Sequence, residues 1–240
     1  MKMQRRVLFI HLEKTGGTSL TEMFRRLDGV DVRYTSRPVS TELQGFAVVA
    51  GHMQADQFMN LLEDYFSFTF IRKPLDRLVS LYRFWASHKD EVVKANEEQM
   101  RLCRIARDHS FEDFIRLSEI MHKCDNPLVR TFCGEKLMTK VPSVSMKEFE
   151  VALKNMKKLD YVGCYEKFDI SCETLFRLLG LEDPEILHEM NVEKMVQYGH
   201  PNHEFVPKVL VENLDKSTSE LLEEFTRYDK MLYSYFMSNC

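Results

Sequence analysis

Ten residues near the start of the chain, His11-Leu12-Glu13-Lys14-Thr15-Gly16-Gly17-Thr18-Ser19-Leu20, constrain its fold more than any other stretch. The apolar run Val7-Leu8-Phe9-Ile10 precedes them and predicts a short buried strand. Leu20, Phe24 and Leu27 follow at helical spacing. A strand, a tight glycine turn and a helix start make an anion cradle. The first-turn N–H groups converge there, and the helix dipole adds partial positive charge. Gly16 and Gly17 let backbone approach a phosphate with no Cβ in the way. Thr18 and Ser19 add hydroxyl donors and Lys14 a full charge. The lysine precedes the glycines, so this is not the G-x-x-x-x-G-K-[ST] loop of nucleotide triphosphatases.

With 240 residues, 44% of them hydrophobic and 29% charged, the chain suits one α/β domain over residues 1–240. We find no repeat or Pro/Gly-rich linker at which to divide it. A net charge of −4 argues against a nucleic-acid partner. The six cysteines form no C-x-x-C pair and read as free thiols, although their even number leaves disulfides open. The apolar run behind the basic N-terminus is shorter than a secretory core, and no run is long enough for a transmembrane segment. The expected location is therefore the cytoplasm if Met1 is the natural start, and the Golgi lumen if the chain is a truncated form.

Further along, residues 30–34 predict a short strand and 35–44 a polar loop. Residues 46–50 predict a buried strand that runs into Gly51-His52-Met53, which puts a histidine at the strand end where open α/β sheets carry their chemistry. Residues 55–62 suggest a short helix. Residues 66–71 form a third apolar strand, ending at Arg72-Lys73-Pro74. Pro74 suits a first helical turn, and Leu75, Leu78, Val79 and Tyr82 give that helix an apolar face. Arg72 at the strand tip and Ser80 on the helix could converge on a second anion. Residues 89–107 read as charged helix, 145–158 as an amphipathic helix burying Phe149, Val151, Leu153 and Met156, and 161–165 as the last core strand. A helix over 170–179 closes at Gly180. Residues 190–207 read as polar and irregular, and their H-x-x-H pair, His200 and His203, lacks the acidic or cysteine partners of a zinc site, so no metal is expected. Residues 217–236 predict a helix docking through Leu221, Leu222, Phe225, Tyr228, Leu232 and Tyr235.

The stretch from Phe9 to Leu20 resembles the 5′-phosphosulfate loop of sulfotransferases that use 3′-phosphoadenylyl sulfate (PAPS). Within that family it resembles the carbohydrate group that includes the heparan sulfate 2-O- and 6-O-sulfotransferases. The stretch from Phe68 to Arg83 resembles that family's 3′-phosphate motif, in which an arginine and a serine eight residues later match Arg72 and Ser80. Ala50-Gly51-His52-Met53 resembles the segment with the family's proposed catalytic histidine. Residues 126–130 with Gly134, and residues 162–168, are weaker echoes. Phe84 stands where some glycan-modifying relatives have a substrate-binding histidine.

The resemblance implies a P-loop-like three-layer α/β/α fold with a central parallel sheet. It implies transfer of a sulfuryl group from PAPS to an acceptor hydroxyl, preferably on a glycan, with PAP as product and no metal. His11, Lys14, Thr15, Gly16, Gly17, Thr18 and Ser19 would hold the 5′ end, and Arg72 and Ser80 the 3′-phosphate. Lys14 would face the leaving oxygen and His52 would take the acceptor proton. His11 is the rival base. A P-loop kinase or hydrolase and a non-catalytic PAP-binding module are the alternatives.

Overall fold

The computed structural model describes residues 5–36, 38, 42–43, 45–134, 143–181, 187 and 192–238. Five runs rich in Val, Phe, Ile and Tyr form one sheet: β1 (Arg6–Ile10), β2 (Val32–Tyr34), β3 (Val48–Gly51), β4 (Tyr65–Ile71) and β5 (Tyr161–Cys164). Their order is β2-β3-β1-β4-β5, and every pairing is parallel. Parallel sheets are covered on both faces, which explains why β4 is an unbroken apolar and aromatic run buried along its whole length.

Alternation along the strands sends side chains to two cores. Val7, Phe9, Val48, Ala50, Phe66, Phe68 and Phe70 meet Leu20 and Phe24 of the Gly17–Arg25 helix and Leu175 and Phe176 of the Phe168–Leu178 helix. Leu8, Ile10, Val49 and Ile71 meet Phe58, Phe132, Ala152, Met156 and Leu232 on the other side. Each such Leu, Ile or Phe contributes about 1.5–3 kcal/mol by leaving water. The result is the expected three-layer α/β/α arrangement with a central parallel sheet. A third cluster joins the Pro74–Ala86 helix to the helices Arg101–Asp108 and Phe111–Phe114 and to the C-terminal helix Lys216–Met237.

Some local expectations change. Residues 89–107 form two helices, Asp90–Ala95 and Arg101–Asp108, because Asn96 leaves helical geometry at φ −138° and ψ 47°. Val151 and Tyr235 are each 41% exposed; the Met146–Met156 helix buries Met156 as expected, with Phe149 and Leu153 partly buried, and Ala152 takes the place expected of Val151. The 190–207 segment, expected to be irregular, contains a helix, Val192–Gln197. No helix of the described residues is long and apolar enough to cross a membrane. No disulfide joins the described cysteines; Cys240 lies outside them.

Candidate functional site

All five strands deliver a polar or aromatic residue to the same carboxyl edge: His11 after β1, Tyr34 ending β2, His52 after β3, Arg72 after β4 and Tyr165 after β5. Ile10 pairs with Gly51, so the next residues on the two strands, His11 and His52, emerge side by side with ring centroids 4.7 Å apart. This edge is where open parallel sheets collect ligands.

The cradle is built tightly. Lys14 and Gly16 both turn left-handed, at φ 68° and 88°, and the helix starts at Gly17. First-turn N–H groups have no intrahelical acceptors and point out of the helix end. The glycines also serve the protein's own packing. A Cβ on Gly17 would sit 2.0 Å from His11 Nε2, and one on Gly16 would sit 2.7 Å from the Phe168 ring. Thr18 is exposed on the cavity wall, whereas Ser19 is buried. Thr15 is fully buried and its hydroxyl donates to the Leu12 carbonyl at 2.8 Å, so the hydroxyl braces the turn rather than facing the cavity.

Three side chains form a hydrogen-bonded chain. His52 Nδ1 lies 2.7 Å from the His11 carbonyl oxygen. A carbonyl only accepts, so Nδ1 carries the proton and neutral His52 presents a lone pair on Nε2. The Tyr34 hydroxyl is 3.1 Å from that Nε2 and 2.9 Å from His11 Nδ1. It therefore donates to His52 and accepts from His11. Burial, then the neighbouring His52 and Lys14, pushes the His11 pKa down to about 3. His11 is thus neutral at pH 7, and its Nε2 is buried against the Gly17 backbone with no hydrogen-bond partner. Tyr34 was not among the residues expected here, although its place at the end of a parallel strand is the signal that singled out His52.

Lys14 stands between two cavities. One, of about 260 Å³, is lined by Lys14, Arg72, Asp76, Ser80, Arg83 and Tyr165, among others. Arg72 stacks 4.2 Å over the Tyr165 ring and donates to the Lys14 carbonyl at 3.1 Å, which fixes its guanidinium there. The eight-residue spacing thus places Arg72 and Ser80 on one wall. The other cavity, of about 390 Å³, is bordered by the cradle, Tyr34, His52, Phe84, Trp85, His88 and His203. Lys14 Nζ lies 4.2 Å over the Phe84 ring. Phe84 also meets the His88 and His203 rings, at 5.1 and 5.2 Å. His88 and His203 were not expected to meet, because an isolated antiparallel bridge joins them across the chain. Among the described residues no group of three or more His, Cys, Asp or Glu side chains is arranged to hold a metal.

A buried polar seam supports the cradle from behind. Glu13 pairs with Lys123 at 2.6 Å, and Arg77 donates to the Lys123 carbonyl at 2.9 Å. Burial would raise the Glu13 pKa, but the Lys123 ammonium, with His52 and Arg77, brings it down to about 2. Asp229 accepts from the backbone of Leu128 and Val129 at 3.0 and 2.9 Å, at the start of the Pro127–Cys133 helix. Asn126 returns the contact, accepting from the amides of Tyr228 and Asp229.

An RNA replication polyprotein of Citrus leaf blotch virus is 26% identical over 139 residues, which is 56% of this chain but 6% of the polyprotein. The chain therefore matches only a small part of that relative's length. A mouse sulfotransferase solved in complex with PAP superposes with a TM-score of 0.51 over 98% of this chain and 90% of its own, at 15% identity. It shares the fold. A sulfotransferase from Alicyclobacillus acidocaldarius gives a TM-score of 0.40 at 14% identity, covering 91% of this chain and 94% of its own. The model of the sulfotransferase family matches residues 1–236, and the chain belongs to that family.

Proposed function

We propose that this protein transfers a sulfuryl group from PAPS to an acceptor hydroxyl, with His52 as the base. One observation carries the reading: Lys14 borders both cavities, with Arg72 and Ser80 on the wall of one and His52 on the wall of the other. That is the layout required for a donor with two anionic ends whose reacting centre faces a base. The residues suit the donor's charges. The cradle N–H groups and Lys14 receive the phosphosulfate end, while the Arg72 fork and the Ser80 hydroxyl receive the 3′-phosphate.

The donor supplies an activated sulfur whose bond to the bridging phosphate oxygen is the one that breaks. Lys14 neutralises the charge that grows on that oxygen. His52 Nε2 takes the acceptor proton as the acceptor oxygen bonds to sulfur, and Nδ1–H, held on the His11 carbonyl, keeps the ring in the required tautomer. Tyr34 fills the Nε2 position until an acceptor hydroxyl replaces it. His11, neutral and committed to Tyr34, positions this chain of bonds rather than competing as base. Alignment of the two substrates supplies much of the remaining rate. The resemblance to the carbohydrate enzymes supports a carbohydrate hydroxyl as acceptor.

The test combines calorimetry with a transfer assay. PAP should bind at least about tenfold tighter than ATP without magnesium, since the 3′-phosphate contacts Arg72. Labelled PAPS should pass its sulfur to a hydroxyl acceptor. Equal affinity for PAP and ATP would reject the reading.

A further inference from the structure

We infer that the cavity beside His52 takes an uncharged, ring-bearing hydroxyl compound, such as a neutral sugar or an alicyclic alcohol, and turns away acceptors carrying carboxylate or sulfate groups. The role of that hydroxyl rests on the sulfuryl-transfer reading above. The polarity of the pocket is a property of its own wall.

Among the described residues that line this cavity, Lys14 is the single Lys or Arg, and it faces the donor side as well. Glu13 adds a carboxylate to the same wall. An anionic acceptor would give up its hydration there without the guanidinium or ammonium partners that normally replace it. The same cavity also offers Leu81, Trp85, Met195 and Phe84, the last carrying the Lys14 ammonium over one face of its ring. Flat apolar and aromatic surface of this kind suits the C–H face of a ring. A volume of about 390 Å³ fits a small molecule or one terminal unit of a larger one.

Two histidines of that wall, His88 and His203, add acceptors rather than cations, whereas His200 accepts the Asn202 amide through Nδ1 and so turns a donor N–H outward. The Ser87 hydroxyl donates to the Phe84 carbonyl at 2.8 Å, so it accepts from His203 Nδ1 at 2.7 Å. His88 Nδ1 donates to the Trp85 carbonyl at 3.1 Å. Both rings therefore hold their proton on Nδ1 and keep a lone pair on Nε2, which suits a hydroxyl donor and repels an anion. Burial, then its neighbours His88 and His200, pushes the His203 pKa down to about 4, and burial also lowers that of His88. His203 is thus neutral at pH 7, and the neutral form of His88 is favoured.

Trp85 is the sole tryptophan of the chain and lies on this wall, so its fluorescence reports occupancy without turnover. We would titrate two optically clear pairs, each with and without saturating PAP. One is methyl β-D-glucopyranoside against methyl β-D-glucopyranosiduronate. The other is 4-methylcyclohexanol against 4-methylcyclohexanecarboxylate. In each pair the neutral member should bind about tenfold tighter or more. A cation at the mouth, introduced by Asn202→Lys at an exposed position, should narrow that gap at least about threefold. Equal or tighter binding of the carboxylate in either pair, or no response to any of the four, overturns the inference. Failure to bind PAP in the same samples would overturn the donor reading alone, because the preference is read in its absence as well.

Discussion

At the scale of single residues, the proposed arrangement separates binding from proton transfer. His52→Ala removes the proposed base and none of the proposed donor contacts, so turnover should fall by about 10²–10⁴ while PAP affinity stays within about threefold. Single-turnover assays and calorimetry on the same preparation measure both. Arg72→Ala should act oppositely. It removes the proposed charge-assisted contact to the 3′-phosphate, worth about 1.5–3 kcal/mol, so PAP binding should weaken roughly tenfold to a hundredfold while adenosine 5′-phosphate binding scarcely moves. Tyr34→Phe deletes the hydroxyl between the two imidazoles. Because Tyr34 hydrogen-bonds His52 and is not among the proposed donor contacts, kcat should fall with an unchanged KM for PAPS. A change confined to KM would assign Tyr34 to binding instead. His52 and His11 were legible because each follows an apolar strand at the edge where parallel sheets carry chemistry. Tyr34 was not, although residues 30–34 read as a strand, because nothing in that short, mostly exposed segment shows that its last hydroxyl lies between imidazoles brought by two other strands.

At the scale of elements, the turn between β1 and the first helix is the least forgiving part. Gly17→Ala places a methyl group inside the His11 ring, so the ring or the helix must move. The overpacking should cost about 1–3 kcal/mol and disrupt the cradle, lowering both melting temperature and PAP affinity. Loss of stability with intact PAP affinity would show that His11 alone yields. The glycines were read as space for a ligand, and the structure adds that they are space for His11 and Phe168. Sequence spacing cannot show this, since Phe168 arrives from the far end of the sheet. Helix phase was misread at Val151 and Tyr235 for a related reason. Each helix has enough apolar residues for more than one face, and only the neighbouring element decides which face is covered.

At the scale of the whole molecule, the polar seam ties cradle stability to pH. The Glu13 carboxyl is held at about 2 against an ordinary 4.5, so its ionised form is favoured in the folded state. Its stabilisation, about 3 kcal/mol by linkage, is complete above pH 4.5 and drains away as pH falls towards 2. Urea titrations across that range should show the gap between wild type and Glu13→Gln closing under acid. A pH-independent gap would mean that the pair contributes through shape alone. The layered fold was legible from strand periodicity, but the seam was not, because Glu13, Lys123 and Arg77 meet only once three separate segments are in place. Lys14, shared by the two cavities, has a consequence at the end of the cycle. In the proposed reaction, once the sulfuryl group has crossed, the sulfate ester and the 5′-phosphate of PAP share the Lys14 ammonium, and their mutual repulsion should help to expel the ester. Added salt, by screening that repulsion, should slow departure of the ester and leave a longer-lived ternary dead end.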